Sequence, residues 1–285
     1  ILQGGIVNGG SGTYNAYGAS ILGNVTVSGS AASTITGASW FNLQPSTTFT
    51  VADATGSPAT DLLVSTSLRG PAGNPDWNYN AAALTKEGAG TMEMTVHSYF
   101  WGGLTLNGGT VKVSGGNGGY GFFSGTVTVN AGTTLETVSD GTGMGWQNGW
   151  KPSLVNINGG TITTNGTSHI WGISGGIQMT GGTLQSNNGV SDPSGGQLEW
   201  WQTPVTTHAS ADTATIGGRI RVRTDGGYSG ISFDVADGSA ANDLGVSAAI
   251  NRANGTIGIT KDGTGTMVLS GANSYAGATT VSAGT

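Results

Sequence analysis

The chain contains 54 glycines in 285 residues, about one residue in five, against roughly 7% in ordinary proteins. Charged residues make up only 8% and the net charge is −6, which excludes a highly charged disordered chain and a basic surface for nucleic acid. Cysteine is absent, which excludes disulfides and thiolate metal sites, and no run of about 18 apolar residues predicts a membrane span.

A duplicated block is the first large feature along the chain. Its first copy spans residues 48–110 and its second copy spans residues 232–285. The aspartates that recur in the two copies are Asp53, Asp61, Asp237 and Asp243. Since aspartate side chains bond nearby backbone amides in turns, we expect structural turn roles for these residues rather than a catalytic or metal-binding role.

A short strand–turn motif follows within and after the first copy. Each example has two apolar residues separated by a polar one, and then a small turn that ends in Gly and Thr. The examples are Leu104–Thr110, Val127–Thr133, Val155–Thr161, Ile177–Thr183 and Thr279–Thr285. The first four end at threonines spaced by 23, 28 and 22 residues. Such a period predicts stacked units.

These repeats predict an all-β fold, a parallel β-helix with glycine-rich corners. Short alternating strands can bury their inward side chains only if each coil of the chain stacks on the next. Glycine suits the corners because it tolerates positive φ and close backbone approach. At roughly 22 residues per coil, the chain would make about 13 coils that rise on the order of 60 Å. We therefore expect one continuous β-solenoid over residues 1–285.

Aromatic residues precede four of the motifs by three to six positions, and they are Trp101, Phe123, Trp150 and Trp171. If the coils stack, these rings align into a stripe along the axis. The stripe is either a ladder that fills the interior or covers a corner, or a platform for sugar rings or for a lateral contact between fibres.

One strand further along the chain concentrates positive charge. Arg219, Arg221 and Arg223 alternate with apolar residues, which places three guanidinium groups on one outer face. The face is either only solvated or binds an anionic partner, such as an acidic glycan or a neighbouring subunit. The three histidines have no metal-ligand spacing, and we predict no metal, no cofactor and no catalytic residue.

The two ends of the chain are predicted to be complementary. In the internal motifs Gly-Thr is followed by an alternating strand, and the chain both stops at a Gly-Thr and begins with a strand-like segment. Two explanations stay open: a domain boundary, or one unit of a tandem or head-to-tail array whose last coil stacks on another copy. The residues expected at that junction are Ile1, Leu2, Gln3, Val281, Gly284 and Thr285.

Residues 259–285 resemble a known repeat. After Ile259 they read Thr-Lys-Asp-Gly-Thr-Gly-Thr-Met-Val-Leu-Ser-Gly-Ala-Asn-Ser-Tyr-Ala-Gly-Ala-Thr-Thr-Val-Ser-Ala-Gly-Thr, and residues 84–110 are a weaker copy. This segment is similar to the autotransporter-associated β-strand repeat of bacterial secreted and surface proteins. The resemblance implies a right-handed parallel β-helix, export through the envelope and an extracellular or cell-surface location, and it carries no catalytic residues.

These features together favour a non-catalytic extracellular structural or adhesive solenoid, which builds a surface fibre or filament by stacking end to end with itself. Two alternatives stay open. One is a carbohydrate-binding module that uses the aromatic stripe, and the other is a polysaccharide-active enzyme with a site around Glu199, Trp200 and Trp201. Glycans are thus possible partners, whereas nucleic acid and a membrane span are not expected.

Overall fold

A computed structural model shows a stack of parallel coils. It describes residues 1–9, 19–37, 40–70, 82–98, 101–115, 122–138, 144–146, 151–187 and 196–285. The described residues form 29 strands: β1 Ile6–Asn8, β2 Ala19–Ser20, β3 Val25–Val27, β4 Ser33–Thr36, β5 Trp40–Asn42, β6 Ser46–Val51, β7 Thr60–Val64, β8 Ser67–Arg69, β9 Ala83–Glu87, β10 Thr91–Met94, β11 Gly103–Leu106, β12 Thr110–Val113, β13 Gly125–Asn130, β14 Thr134–Thr137, β15 Pro152–Asn158, β16 Thr161–Thr164, β17 Ser168–Trp171, β18 Ile177–Thr180, β19 Thr183–Ser186, β20 Leu198–Trp201, β21 Val205–Thr207, β22 Ala214–Gly217, β23 Arg219–Val222, β24 Gly230–Val235, β25 Leu244–Val246, β26 Ala249–Arg252, β27 Gly258–Asp262, β28 Met267–Leu269 and β29 Thr279–Val281. One short 3-10 helix, Asp225–Gly227, follows β23.

The strands form four sheets, and each coil contributes one strand to each sheet that it reaches. The first long sheet has the order β1-β4-β7-β10-β12-β14-β16-β19-β22-β25-β28, and the second has the order β3-β6-β9-β11-β13-β15-β18-β21-β24-β27-β29. A three-stranded sheet, β2-β5-β8, and a four-stranded sheet, β17-β20-β23-β26, form a third side of the early and late coils. Neighbouring strands pair in parallel. The predicted all-β parallel β-helix is therefore confirmed.

The stack has fewer coils than the repeat spacing predicted. Within the described ranges, each long sheet contains eleven strands, which span about 50 Å at the usual strand separation of about 4.8 Å. Thr91 pairs with Thr110, 19 residues later, whereas Thr183 pairs with Thr215, 32 residues later. Coil lengths thus vary, with 19 and 32 residues in these two examples, so a single spacing of about 22 residues overestimated the number of coils.

One of the predicted motifs has an extra residue in its turn. Thr110 of β12 pairs with Thr134 rather than with Thr133. The Thr133 hydroxyl instead donates to the Asn130 carbonyl at 2.6 Å and closes the turn. The pairing threonine is therefore one residue later than the motif alone indicated.

Apolar side chains stack on one another inside the coils. Residues that alternate along each strand point inward, and the pairing places them directly above one another. One such ladder in the first long sheet contains Leu62, Met92, Val111, Leu135, Ile162, Leu184, Ile216 and Val246, all of which are buried. A thin but continuous core therefore runs the length of the stack.

Two buried lysines occupy matching positions in the duplicated block. Lys86 lies in β9 and Lys261 in β27, and both side chains are almost completely buried. Each ammonium donates to three backbone carbonyls: Lys86 to those of Glu87, Gly88 and Gly108 at 2.8–3.0 Å, and Lys261 to those of Asp262, Gly263 and Ala283 at 2.8–3.3 Å. Each lysine thus joins the corner of its own coil to the next coil.

Two of the recurring aspartates also hold turns. Each carboxylate accepts from two backbone amides: Asp61 from Thr55 and Thr91 at 2.8 and 2.7 Å, and Asp243 from Gly238 and Thr266, both at 2.7 Å. One of the two amides belongs to the next coil in each case. The predicted turn roles of Asp61 and Asp243 are confirmed.

The first and the last residues of the chain lie at the edges of different sheets. Leu2, between Ile1 and Gln3, forms a bridge with Val27 in the second long sheet. The Thr285 carbonyl accepts from the Met267 amide at 2.8 Å, which places it at the edge of the first long sheet. Val281 in β29 and Leu2 nevertheless lie at opposite edges of the same sheet, and the expected junction stays a prediction.

Candidate functional site

The outer face of the four-stranded sheet carries charged and aromatic side chains from three adjacent strands. His169 in β17 pairs with Glu199 in β20, which pairs with Arg221 in β23. Two positions further along, Trp171 pairs with Trp201, and Arg223 follows β23 on the same side. We call this surface the tryptophan–arginine face, defined by His169, Trp171, Glu199, Trp201, Arg221 and Arg223. The residues between them point inward, because side chains alternate along a strand.

Glu199 is the electrostatic centre of this face. Its side chain is only 7% exposed, and its carboxylate lies 3.1 Å from His169 Nε2. The guanidinium groups of Arg221 and Arg223 lie 3.4 and 3.6 Å from the other carboxylate oxygen. Burial acts to raise the pKa of Glu199, but the hydrogen bond with His169 and the charges of Arg223 and Arg221 outweigh it, so the pKa is lowered. The carboxylate is held in its charged form.

Three tryptophan rings lie along the solenoid axis beside Glu199. The Trp171 ring centroid is 5.6 Å from that of Trp146 and 5.9 Å from that of Trp201. The guanidinium carbon of Arg223 lies 4.9 Å from the Trp171 centroid, within the range of a cation–π contact. Trp201 Nε1 donates to the Asp225 carbonyl at 2.6 Å, and the Asp225 carboxylate pairs with Arg223. These contacts fix the orientation of the rings.

Three polar groups beside the face lack a hydrogen-bond partner in the part of the chain that the structure describes. Two are the buried ring nitrogens Nδ1 of His169 and Nε1 of Trp171. The third is the Lys151 ammonium, which lies close to Gly172. A methyl group added to Gly172 would be 2.7 Å from the ammonium nitrogen and 3.5 Å from the Trp201 ring. Burial lowers the pKa of Lys151. Donor capacity is therefore available at the edge of the aromatic row.

Three features that the sequence presented separately come together here. Arg221 and Arg223 of the predicted anionic-partner strand share the face with Trp171 of the predicted stripe and with Glu199 and Trp201. Arg219 begins the same strand, β23. Trp200 differs from its neighbours because it points inward, is fully buried and donates from Nε1 to the Thr203 carbonyl at 2.8 Å.

The four residues of the predicted aromatic stripe do not share one surface. Phe123 is fully buried, which fits the alternative of a ring that fills the interior and not that of a glycan or lateral contact. Trp101 lies partly buried in the turn before β11, and Trp171 lies on the outer face of β17. Trp150 lies outside the described residues. Trp101 and Phe123 lie outside the strands, so the offset from the motif does not determine which side their rings face.

His169, Trp146 and Lys151 were not recognised as members of this group from the sequence. A pattern in the sequence could have indicated the group. Three tripeptides each have two large side chains, one on either side of an inward residue: His169–Trp171, Glu199–Trp201 and Arg221–Arg223. The tripeptides are 30 and then 22 residues apart in the sequence. Whether they lie side by side depends on the lengths of the coils, which the Gly-Thr motif did not give.

The described ranges contain no group of three or more His, Cys, Asp or Glu residues placed to hold a metal ion. Within those same ranges, no helix has both the length and the apolar character needed to cross a membrane.

Comparison with protein families matches two segments of the chain. A family model described as a passenger-associated-transport-repeat matches residues 84–113 and 259–285. The predicted resemblance to this repeat family is confirmed at both segments, which contain the buried Lys86 and Lys261. Comparisons with curated proteins and with solved structures found no match. The tryptophan–arginine face lies between the two matched segments.

Proposed function

We propose, from the two passenger-associated-transport-repeats and the parallel solenoid that carries them, that this chain is a non-catalytic structural segment of a secreted or surface-displayed protein. We further propose that it extends the stack by pairing end to end with copies of itself. The observation that carries this proposal is that inward-facing apolar side chains at both terminal coils remain uncovered.

At the first coil, Val7 in β1 pairs with the buried Ile35 in β4, which places Val7 on the inward side. It is nevertheless 36% exposed. At the last coil, Val281 in β29 pairs with the buried Lys261 in β27 and is 55% exposed. Both side chains hold the position of a core residue, but no coil among the described residues covers them. A docked coil would bury them and would also pair the free backbone groups of the edge strands.

The second long sheet gives the most direct route for such a contact. It ends at β29 on one side, and on the other side Leu2 bridges β3 in the same sheet. Stacking two copies would therefore bring Val281 of one copy next to Leu2 of the other. Solenoid repeats contact only their neighbours, so the same contact can be repeated along a filament.

Sedimentation velocity and electron microscopy of the 285-residue chain over a range of concentrations test this proposal. We expect elongated species that lengthen in steps of about 50 Å, the height of one stack. Val281→Glu should abolish them, because a carboxylate would enter the junction without a partner. Thr280→Glu is the matched control: it places the same charge on the same strand, but at the alternate, outward position.

A chain that remains monomeric at high concentration would contradict end-to-end association. Equal loss of the elongated species in Val281→Glu and Thr280→Glu would also contradict it, since the effect would then arise from charge alone.

A further inference from the structure

We propose that the tryptophan–arginine face, together with Lys151, binds an acidic polysaccharide through its carboxylate groups and sugar rings. This inference concerns the side of the solenoid rather than its ends, and it does not depend on end-to-end association.

Positive charge is concentrated on this side of an acidic protein. Four of the nine Lys and Arg residues of the chain lie on β23 and β26 or next to them, and they are Arg219, Arg221, Arg223 and Arg252. Lys151 adds a fifth cation beside Trp201. Glu199 contacts Arg221 and Arg223, and Asp225 contacts Arg223. Among these described residues five cations accompany two carboxylates, while the chain as a whole carries −6, so an anionic ligand would be attracted to this side.

The two central arginines differ in how far they are already engaged. Arg223 contacts Asp225, Glu199 and the Trp171 ring, so we assign it a positioning role. Arg221 contacts Glu199 at 3.4 Å and its side chain is 41% exposed. A planar guanidinium group can receive a second carboxylate in two parallel hydrogen bonds. Arg221 and the unpartnered ammonium of Lys151 are thus the two groups that we expect to contact ligand carboxylates.

The tryptophans define the rest of the ligand. Trp146 is 40% exposed, and Trp171 and Trp201 follow it along the axis with 5.6 and 5.9 Å between successive centroids. Aromatic faces pack well against the apolar faces of sugar rings. A row of rings parallel to the axis suits a chain of sugar units better than a single small anion. An acidic peptide would satisfy the cations but has no comparable series of flat apolar faces.

Titration of the full chain with polygalacturonate, followed by tryptophan fluorescence and calorimetry at low salt, tests the proposal. We expect saturable binding that changes tryptophan fluorescence and weakens as salt is added. Fully methyl-esterified polygalacturonate keeps the sugar rings without the charge, and poly-L-glutamate keeps the charge without the rings. Both should bind at least about tenfold more weakly, because each lacks one of the two kinds of contact.

Single substitutions then assign the contacts. Arg221→Ala and Lys151→Ala should each lower the affinity for polygalacturonate by about tenfold or more, the usual effect of losing a charge-assisted hydrogen bond. Lys112→Ala is the matched control, because Lys112 lies on β12 of the first long sheet and its removal changes the net charge equally. Circular dichroism of each variant should match that of the original chain, since both substituted groups lie at the surface.

Three results would overturn the proposal. They are no binding of polygalacturonate at low salt, equal binding of poly-L-glutamate, and a loss of affinity in Lys112→Ala as large as that in Arg221→Ala.

Discussion

Replacing Lys86 by Met tests whether a buried ammonium joins adjacent coils. Methionine keeps an unbranched side chain in the interior but removes the three hydrogen bonds to the carbonyls of Glu87, Gly88 and Gly108. The equivalent change, Lys261→Met, removes the same number of bonds from the last coil. The duplicated block thus supplies its own matched comparison.

The two substitutions should differ in cost because their acceptors differ in exposure. All three acceptors of Lys86 lie in partly buried residues. Leaving them unpaired should destabilise the fold by about 3 kcal/mol. This figure allows for the removal of a buried charge, which is favourable and partly offsets the loss of the hydrogen bonds. Two of the Lys261 acceptors, Asp262 and Ala283, are exposed. Water can replace the ammonium there, so Lys261→Met should cost only about 1 kcal/mol.

Chemical denaturation followed by far-UV circular dichroism gives the difference in free energy of unfolding, and hydrogen exchange locates the loss. We expect faster exchange around Gly108 in Lys86→Met and little change there in Lys261→Met. The reasoning would be refuted if Lys86→Met were within about 0.5 kcal/mol of the original chain, the range of an ordinary surface substitution, or if the two variants were equally destabilised.

Two further predictions concern a corner glycine and the Glu199 carboxylate. Gly88→Ala should destabilise by about 2 kcal/mol or more, and Gly56→Ala by about 1, as compared by thermal unfolding. Gly88 has φ +79° and its added methyl would lie 2.4 Å from the Val51 carbonyl oxygen, whereas Gly56, at φ +64°, has open space; equal losses would contradict this. Because the pKa of Glu199 is lowered on folding, its contribution to stability is present at pH 7 and lost as pH falls through that lowered value. Glu199→Gln should therefore be less stable than the original chain at pH 7, and this difference should shrink as denaturation is repeated at progressively lower pH; a difference independent of pH would count against it.

The sequence was sufficient to predict that the coils stack, but not to predict the length of each coil. The turn motifs at Leu104–Thr110 and Val155–Thr161 predict strands that the structure contains. Their spacing did not reveal a third side, because no Gly-Thr directly precedes β20, and the Gly166-Thr167 before β17 does not follow two apolar residues separated by a polar one. The motif likewise did not show that Thr133 closes a longer turn.

The sequence indicated single residues of the tryptophan–arginine face, but not that they form one surface. The alternation of Arg221 and Arg223 predicted that both point outward, which follows from strand geometry alone. That Glu199 lies beside Arg221 depends on coil register, which is set by the whole path of the chain over this separation of 22 residues. The aromatic offsets failed for a different reason: Phe123 lies between strands whereas Trp171 ends β17, so the offset from the motif does not determine which side the ring faces.

Spin–spin distances along the second long sheet test the stacked solenoid most directly. The chain lacks cysteine, so spin labels can be placed at two introduced cysteines. Thr105 in β11 and Thr260 in β27 are separated by six strand steps in the sheet order, which predicts about 29 Å between their backbones. Moving the first label from Thr105 to its neighbour Thr128 in β13 should shorten the distance by about 5 Å. A distance that does not fall when the label moves by one coil would contradict the parallel stack, and with it the elongated assembly proposed for this chain.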